Sequence, residues 1–462
     1  MDAAPATEEN PRMSSTPSPK PFSWEYRPTA LAKEAFHITG GRPLSGSVRV
    51  SGAKNAALKM MAASVLTGER LHLENVPEIL DIEVLRDTLR DLGVTVEREA
   101  DGSMDLTAGD VEWLFVPLEA AAKMRASFML LGPLLARFGR VIISNPGGDR
   151  IGRRPVNLHV DAMRALGAEI DYRDGYYFAK SSGRLRGAEI TFPHVTVMGT
   201  ENAMLAAVLA KGTTRITPAA QEPEIDDLIT LLNSMGAQVA RTAPDVIEVQ
   251  GVDALHGATH RVMPDRIEAG TFATAAAVIG GSIEIQEIEP SHLTSFLELL
   301  ERTGVEHSVN GSSLHVTGKP QGEGSYKATD ITTAPYPGLA TDLQPSAGLI
   351  LTRADGVSNI HETIFEDRLE WLVGLRSFGA QVEIKDARHA RLTGPTVFHA
   401  AEADIPDLRA GATLMLAALA APGESKIHGA HHIRRGYATI EEKFRGLGAD
   451  LTHVSVVGSR AE

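Results

Sequence analysis

The sequence contains no cysteine, so disulfides, thiolate metal sites and a cysteine nucleophile are all excluded. Aromatic residues are scarce at 5%. No stretch approaches 18 consecutive apolar residues, which leaves no candidate for a membrane-spanning helix and predicts no membrane insertion. Basic residues are outnumbered, 45 Lys and Arg against 59 Asp and Glu, for a formal net charge of -14. That balance argues against a nucleic-acid-binding protein, which would present a basic face. It leaves small anionic ligands open, because a local arginine cluster overrides the global sign. The first residues are rich in Pro, Ser and Thr and lack an apolar core segment, so they read as a disordered lead-in over 1–35 and not a secretory signal. A cytoplasmic location is expected.

What the chain has in abundance is internal repetition. An amphipathic stretch ending in apolar-Gly and running into a short strand occurs six times, with its glycine at Gly93, Gly167, Gly236, Gly304, Gly379 and Gly448. The intervals are 74, 69, 68, 75 and 69 residues. A second glycine opens a β-like run 23 to 28 residues before each of these, at Gly68, Gly139, Gly212, Gly281, Gly356 and Gly423. In the first copy Ile82, Leu85, Leu89 and Leu92 form one apolar helical stripe, and the glycine after it fits a left-handed helix end. One such unit cannot bury its own apolar face, so the six must pack together, three to a domain. At 462 residues two domains are expected, with a boundary near residues 262–270.

Four polar segments interrupt the repeats. In SGAKNAAL, Lys54 and Asn55 stand at a predicted helix start, where free N–H groups and a cation suit a phosphate or carboxylate, or where Lys54 is simply a solvated first-turn residue. NPGGDRIGRRPVNLH lacks the Gly-Lys-Ser/Thr of a phosphate loop, yet sets Asp149 among Arg150, Arg153 and Arg154. TAPYPGLATDLQPS isolates Asp342 in an otherwise uncharged loop, as a helix cap or as a base. DLRAG and HHIRRGY carry Arg409, Arg434 and Arg435 on late, exposed-looking loops. His431 and His432 have no second ligand cluster, so no metal is expected.

These segments, in this order, resemble the enolpyruvyl transferases, and within them the branch acting on UDP-N-acetylglucosamine. The likeness runs from about Phe36 to the C-terminus through SGAKNAAL, PGG…IG-RPV-LH, EPEI, PDRIEAGTF, TTAPYPG…TDLQ, ETIFEDR, DLRA and RGY. It implies an α/β fold of two inside-out barrels, each of three repeats. The first would span 54–263, and the second 36–53 together with 264–462. It implies phosphoenolpyruvate and UDP-N-acetylglucosamine as substrates, with no metal or organic cofactor. Lys54 would bind phosphoenolpyruvate, with Arg125, Arg154, Arg409 and Arg435 as further anion ligands. Asn55 would contact the sugar. Arg154, Pro155, Val156, Asn157 and Leu158, with His194, Val195, Thr196 and Val197, would line the uridine-diphosphate site, and Ile364 would lie near the sugar and uracil end. Asp342 would take the proton from the acceptor hydroxyl. Asp149 stands where the family usually has a cysteine, the acid that protonates the enol methylene. Burial would raise its pKa and Arg150 and Arg154 would lower it. Asn157 for the usual Asp, VTVMGTEN for SVGATEN and Arg434 for Asp keep two alternatives open: another uridine nucleotide as acceptor, or a non-catalytic UDP-sugar-binding paralogue.

Overall fold

The computed structural model describes residues 34–455. The lead-in up to residue 33 lies outside them, while Glu34 and Ala35, read from sequence as its last residues, already belong to the strand Glu34–Gly40. That strand is held by antiparallel pairing on both sides, to Gly423–His428 and to Asp450–Ser455.

The repeat is realised as six sheets, five of four strands and one of five. Each sheet reads the same way along its main path: one parallel pair followed by two antiparallel pairs. In the first half, Ala258–Arg261 runs parallel to Arg70–Glu74, which pairs antiparallel with Met104–Thr107, and that strand with Thr95–Arg98. In the second half, Leu44–Arg49 runs parallel to Gly281–Gln286, and Ser313–Gly318 and Glu306–Asn310 follow antiparallel. The six helix-ending glycines all adopt left-handed φ, between 77° and 100°, which a side chain at those positions would oppose.

Helices lie inside and sheets outside. Every residue of Arg266–Ile279, Gln344–Leu351 and Leu408–Ala420 is buried, and these three helices pack on one another. The sheets supply the outer layer, with alternate side chains facing inward. The predicted stripe Ile82, Leu85, Leu89 and Leu92 is wholly buried, none of the four more than 1% exposed. Buried apolar side chains form two clusters. One spans Ala53 to Met263 and takes only Ala438 from elsewhere; the other joins Phe36–Val50 to Ile267–Leu451.

The chain crosses between these clusters at two adjacent places. Gly52 and Pro264 form an isolated antiparallel bridge, with Ala53 N–H donating to Met263 O (2.7 Å) and Asp265 N–H to Ser51 O (2.8 Å). The helices Lys54–Ala63 and Arg266–Ile279 start immediately after the crossings. Among the described residues no helix is long and apolar enough to cross a membrane.

Candidate active site

Lys54 is the first residue of its helix and is buried, its ammonium 2.7 Å from Asp81 Oδ2. The solvated first-turn lysine is therefore not what is seen. Asn55 follows it, its carbonyl accepting from Lys59 Nζ at 2.6 Å. Asp81 also accepts from Arg435, at 2.9 Å from Nε and 3.3 Å from Nη2, and Arg435 in turn donates to the Asp149 carboxylate. Lys54, Asp81, Arg435 and Asp149 thus form one continuous charge chain joining segments more than 350 residues apart in sequence.

The Asp149 loop is closed against the other half. Arg153 N–H donates to Glu366 Oε1 (2.7 Å), Asp367 N–H to Ile151 O (3.2 Å), and the Arg154 guanidinium lies 5.9 Å from the Phe365 ring centre. Inside the loop, Arg154 Nη2 donates to the Asp149 carbonyl (2.6 Å). Burial alone would push the Asp149 carboxyl up, but Arg435, then Lys54, Arg368 and Arg154, hold it below the usual carboxylate range. The sequence reading set Arg150 and Arg154 against burial. In space the dominant cation is Arg435, brought from the far end of the chain, and Arg150 is not among them.

Asp342 is not isolated in three dimensions, although its loop carries no other charge. Arg368 Nη2 donates to its Oδ1 at 3.0 Å, and Arg409 Nε and Nη2 to its Oδ2, each at 3.3 Å. It makes no capping bond to the helix Gln344–Leu351, so the helix-cap alternative is not realised. Burial opposes its charge, yet Arg409, Arg368 and Lys54 hold the group far below the ordinary carboxylate range. Arg409 and Arg435 are not the exposed loop residues that sequence suggested. Arg409 is buried at 4% exposure within the helix Leu408–Ala420, next to its capping Asp407, and Arg435 is partly buried; of the three, only Arg434 is exposed.

Arg125 and Arg154 differ from the other cleft arginines in having no carboxylate within salt-bridge distance among the described residues. Arg125 donates to the Arg154 carbonyl instead. Burial and the neighbouring Arg154 bring Arg125 down to about 10. Two under-compensated guanidiniums therefore border a cavity of about 410 Å³, lined also by Pro155, Val156, Asn157, Tyr172 and Tyr177. An anion is what such a pair lacks.

The remaining expected residues are placed elsewhere. Leu158, His194, Val195, Thr196, Val197 and Ile364 do not line this cavity. Leu158 is buried; His194 is exposed; Thr196 caps the helix Val197–Ala207 by accepting from Gly199 N–H. Ile364 sits on the closing loop, its N–H held by Glu362 Oε1 at 2.8 Å. His431 and His432 pack ring to ring at 4.2 Å, and no group of three or more potential ligands gathers among the described residues. Sequence reasoning missed Asp81 and Arg368. Asp81 looks like any acid in a first helical turn, and Arg368 was visible only as the last letter of ETIFEDR.

A family profile described as EPSP synthase (3-phosphoshikimate 1-carboxyvinyltransferase) matches residues 38–444. The chain belongs to the EPSP synthase family. Among curated members, UDP-N-acetylglucosamine 1-carboxyvinyltransferase of Idiomarina loihiensis is 43% identical over 424 residues, covering 91% of this chain and 100% of that protein. The protein of the same name from Acidobacterium capsulatum is 44% identical over 428 residues, covering 92% and 97%. In structure, the enolpyruvyl transferase NikO from Streptomyces tendae superposes with a TM-score of 0.82 at 25% identity, covering 92% and 99% of the two chains. EPSP synthase of Acinetobacter baumannii shares the fold alone, at a TM-score of 0.69 and 19% identity, covering 91% and 100%. The family architecture of two inside-out α/β barrels is the one described above, and this member is an enolpyruvyl transferase.

Proposed function

We propose that this chain transfers the enolpyruvyl group of phosphoenolpyruvate to the 3-hydroxyl of UDP-N-acetylglucosamine, releasing phosphate, the first committed step of peptidoglycan synthesis. The observation that carries the reading is the pair of carboxylates, Asp149 and Asp342, each held by arginines where the two buried clusters meet. Relatives of that name, 42–45% identical over nine-tenths of the chain, support the choice of acceptor. We take the two clusters as two domains, 54–263 and 36–53 with 264–462, and place the reaction in the cytoplasm, where both substrates are made.

Phosphoenolpyruvate binds through its phosphate and carboxylate to Lys54, Arg125, Arg154, Arg409 and Arg435. In doing so it draws Arg435 and Lys54 away from Asp149. With those cations engaged by the phosphate and carboxylate, burial pushes that carboxyl up toward its protonated form against the remaining pull of Arg368. Asp149 gives its proton to C3 while Asp342, kept ionised by Arg368 and Arg409, takes the proton of the acceptor hydroxyl, and the oxygen attacks C2. The tetrahedral intermediate returns a C3 proton to Asp149 and expels phosphate, which carries off the proton taken by Asp342. The arginines hold the charge that develops in a cleft closed by the Asp149 loop. Asn55 orients the sugar. We assign the nucleotide to Arg154, Pro155, Val156, Asn157 and Leu158 together with His194, Val195, Thr196 and Val197, with Ile364 near the sugar and uracil end.

A second acceptor reading rests on Asn157, whose amide lines the cavity and both donates and accepts, unlike a carboxylate. Another uridine nucleotide then takes the place of UDP-N-acetylglucosamine. Phosphate release from phosphoenolpyruvate, assayed with UDP-N-acetylglucosamine and with UDP-glucose, UMP and uridine, tests both. Release with UDP-N-acetylglucosamine alone supports the first; release only with another nucleotide replaces it; none with any acceptor rejects enzymatic function.

A further inference from the structure

The helices Lys54–Ala63 and Arg266–Ile279 begin side by side at the two crossings between the halves. Both need acceptors for their first N–H groups. Their capping positions are unequal. Ala53 has no side chain that can accept, and its helix has no cap of its own. Asp265, at the matching position of the other helix, serves both. Its Oδ1 accepts from Ile267 N–H (2.8 Å) and Glu268 N–H (3.1 Å), capping its own helix, while Oδ2 accepts from Lys54 N–H at 3.2 Å. Asp265 is buried at 5% exposure, so neither oxygen exchanges these bonds for water. Around it the joint is braced by further bonds across the crossings. Ser51 N–H donates to Glu268 Oε2 (2.7 Å), and Lys443 Nζ donates to Ser51 Oγ (2.6 Å) and to Glu268 Oε1 (2.5 Å).

We propose that Asp265 is a positioning residue whose one carboxylate clasps the leading helices of both halves and thereby sets the angle at which Lys54 enters the cleft. The residue held through its backbone N–H is the one whose ammonium reaches Asp81, so a rotation about the joint swings that ammonium directly. A single backbone residue separates the hinge from the charge it delivers. Closure of the halves and presentation of Lys54 are then one movement, and phosphoenolpyruvate meets a preset lysine only in the closed form. This rests on the assignment of Lys54 to phosphoenolpyruvate.

Two variants separate the clasp from ordinary helix capping. Asp265→Asn keeps an oxygen for Ile267 and Glu268 but turns an amide N–H₂ toward Lys54 N–H. Asp265→Ser is a good cap too short to reach Lys54. Both are expected to unfold within a few degrees of the parent and to expose the Lys54 amide, so that hydrogen exchange in the segment 52–58 accelerates at least about tenfold. KM for phosphoenolpyruvate should rise about tenfold or more, while KM for the nucleotide acceptor stays within about twofold. Unchanged exchange at Lys54 overturns the clasp, as does faster exchange with both KM values intact, or an equal rise in both. If the parent protein turns over no phosphoenolpyruvate, the enzymatic reading falls; the exchange measurement still decides whether Asp265 holds Lys54.

Discussion

Arg435 donates to Asp149 with one arm of its guanidinium and is held from the other side by Asp81. The acid of the proposed reaction is therefore tied to a cation from the opposite end of the chain. Asp149→Asn is expected to cut turnover by about 10²–10⁴ while leaving both substrates bound, because an amide cannot deliver the proton. Single-turnover phosphate release checks this, and parent rates would move the acid elsewhere.

With no cysteine anywhere in the chain, the epoxide fosfomycin has no thiol to alkylate. The parent protein should keep its activity through prolonged incubation. Asp149→Cys should lose it progressively, with the mass of one adduct on the intact protein. An adduct on the parent would contradict the assignment of position 149.

Asp342 is held ionised by Arg409 and Arg368 far below the ordinary carboxylate range. Its charge should then persist down to the lowest pH at which the protein stays folded, and it should contribute no acidic limb to the rate profile near neutrality. Asp342→Asn should lower kcat by about 10²–10⁴ with little change in acceptor KM. A fall in activity between pH 5 and 7 that disappears in this variant would argue against it.

The closing loop offers a test of motion. Gly152 has φ of 138°, and a Cβ there would stand 2.6 Å from Glu366 Oε2, the side chain that latches the loop through Arg153 N–H. Gly152→Ala should hold the loop open, and Glu366→Ala should release it. In both, cleavage within residues 145–156 by limited proteolysis should accelerate, and phosphoenolpyruvate should protect less than in the parent.

His159 lies buried, edge-on to Phe128, its Nδ1 accepting from Asn202 Nδ2 at 3.0 Å. Burial, then Arg125, pulls it down to about 3. In the unfolded chain it takes up a proton near pH 6.5, so the unfolded state binds more protons between the two values. Stability should fall as pH drops from 6.5 toward 3, with a ceiling of about 5 kcal/mol from this group. The urea midpoint of His159→Gln should be flatter over that window; an equal slope would remove His159 as the source.

The repeat was legible because one physical need, a cheap left-handed end to each helix, stamped a glycine on all six units. The Lys54 segment was legible for a similar reason: a helix start with a cation is a local pattern. The pairing of charges was not. Asp81 and Arg435 lie 354 residues apart and Arg368 reaches Asp342 from a different loop, and nothing in the segments of Asp81 and Arg368 distinguishes them from surface charges. Exposure was misjudged at Arg409 for the same reason, since a buried arginine is tolerable only because Asp342 meets it from another segment. The Asp265 bond to Lys54 could not be inferred from either motif alone.

The strand Glu34–Gly40 completes a sheet with Asp450–Ser455, so the first part of the described chain to be synthesised is needed by the last. At translation rates of about 5–20 residues per second it waits roughly 20–80 s for that partner. The half built from Ala53 to Met263 requires no such delay, because its sheets draw only on strands from residues 70 to 261. Assembly is thus ordered by synthesis: one half is able to form before the other is made, while an early strand stays unpaired until both of its late neighbours, Gly423–His428 and Asp450–Ser455, have followed, a natural site for a chaperone to hold.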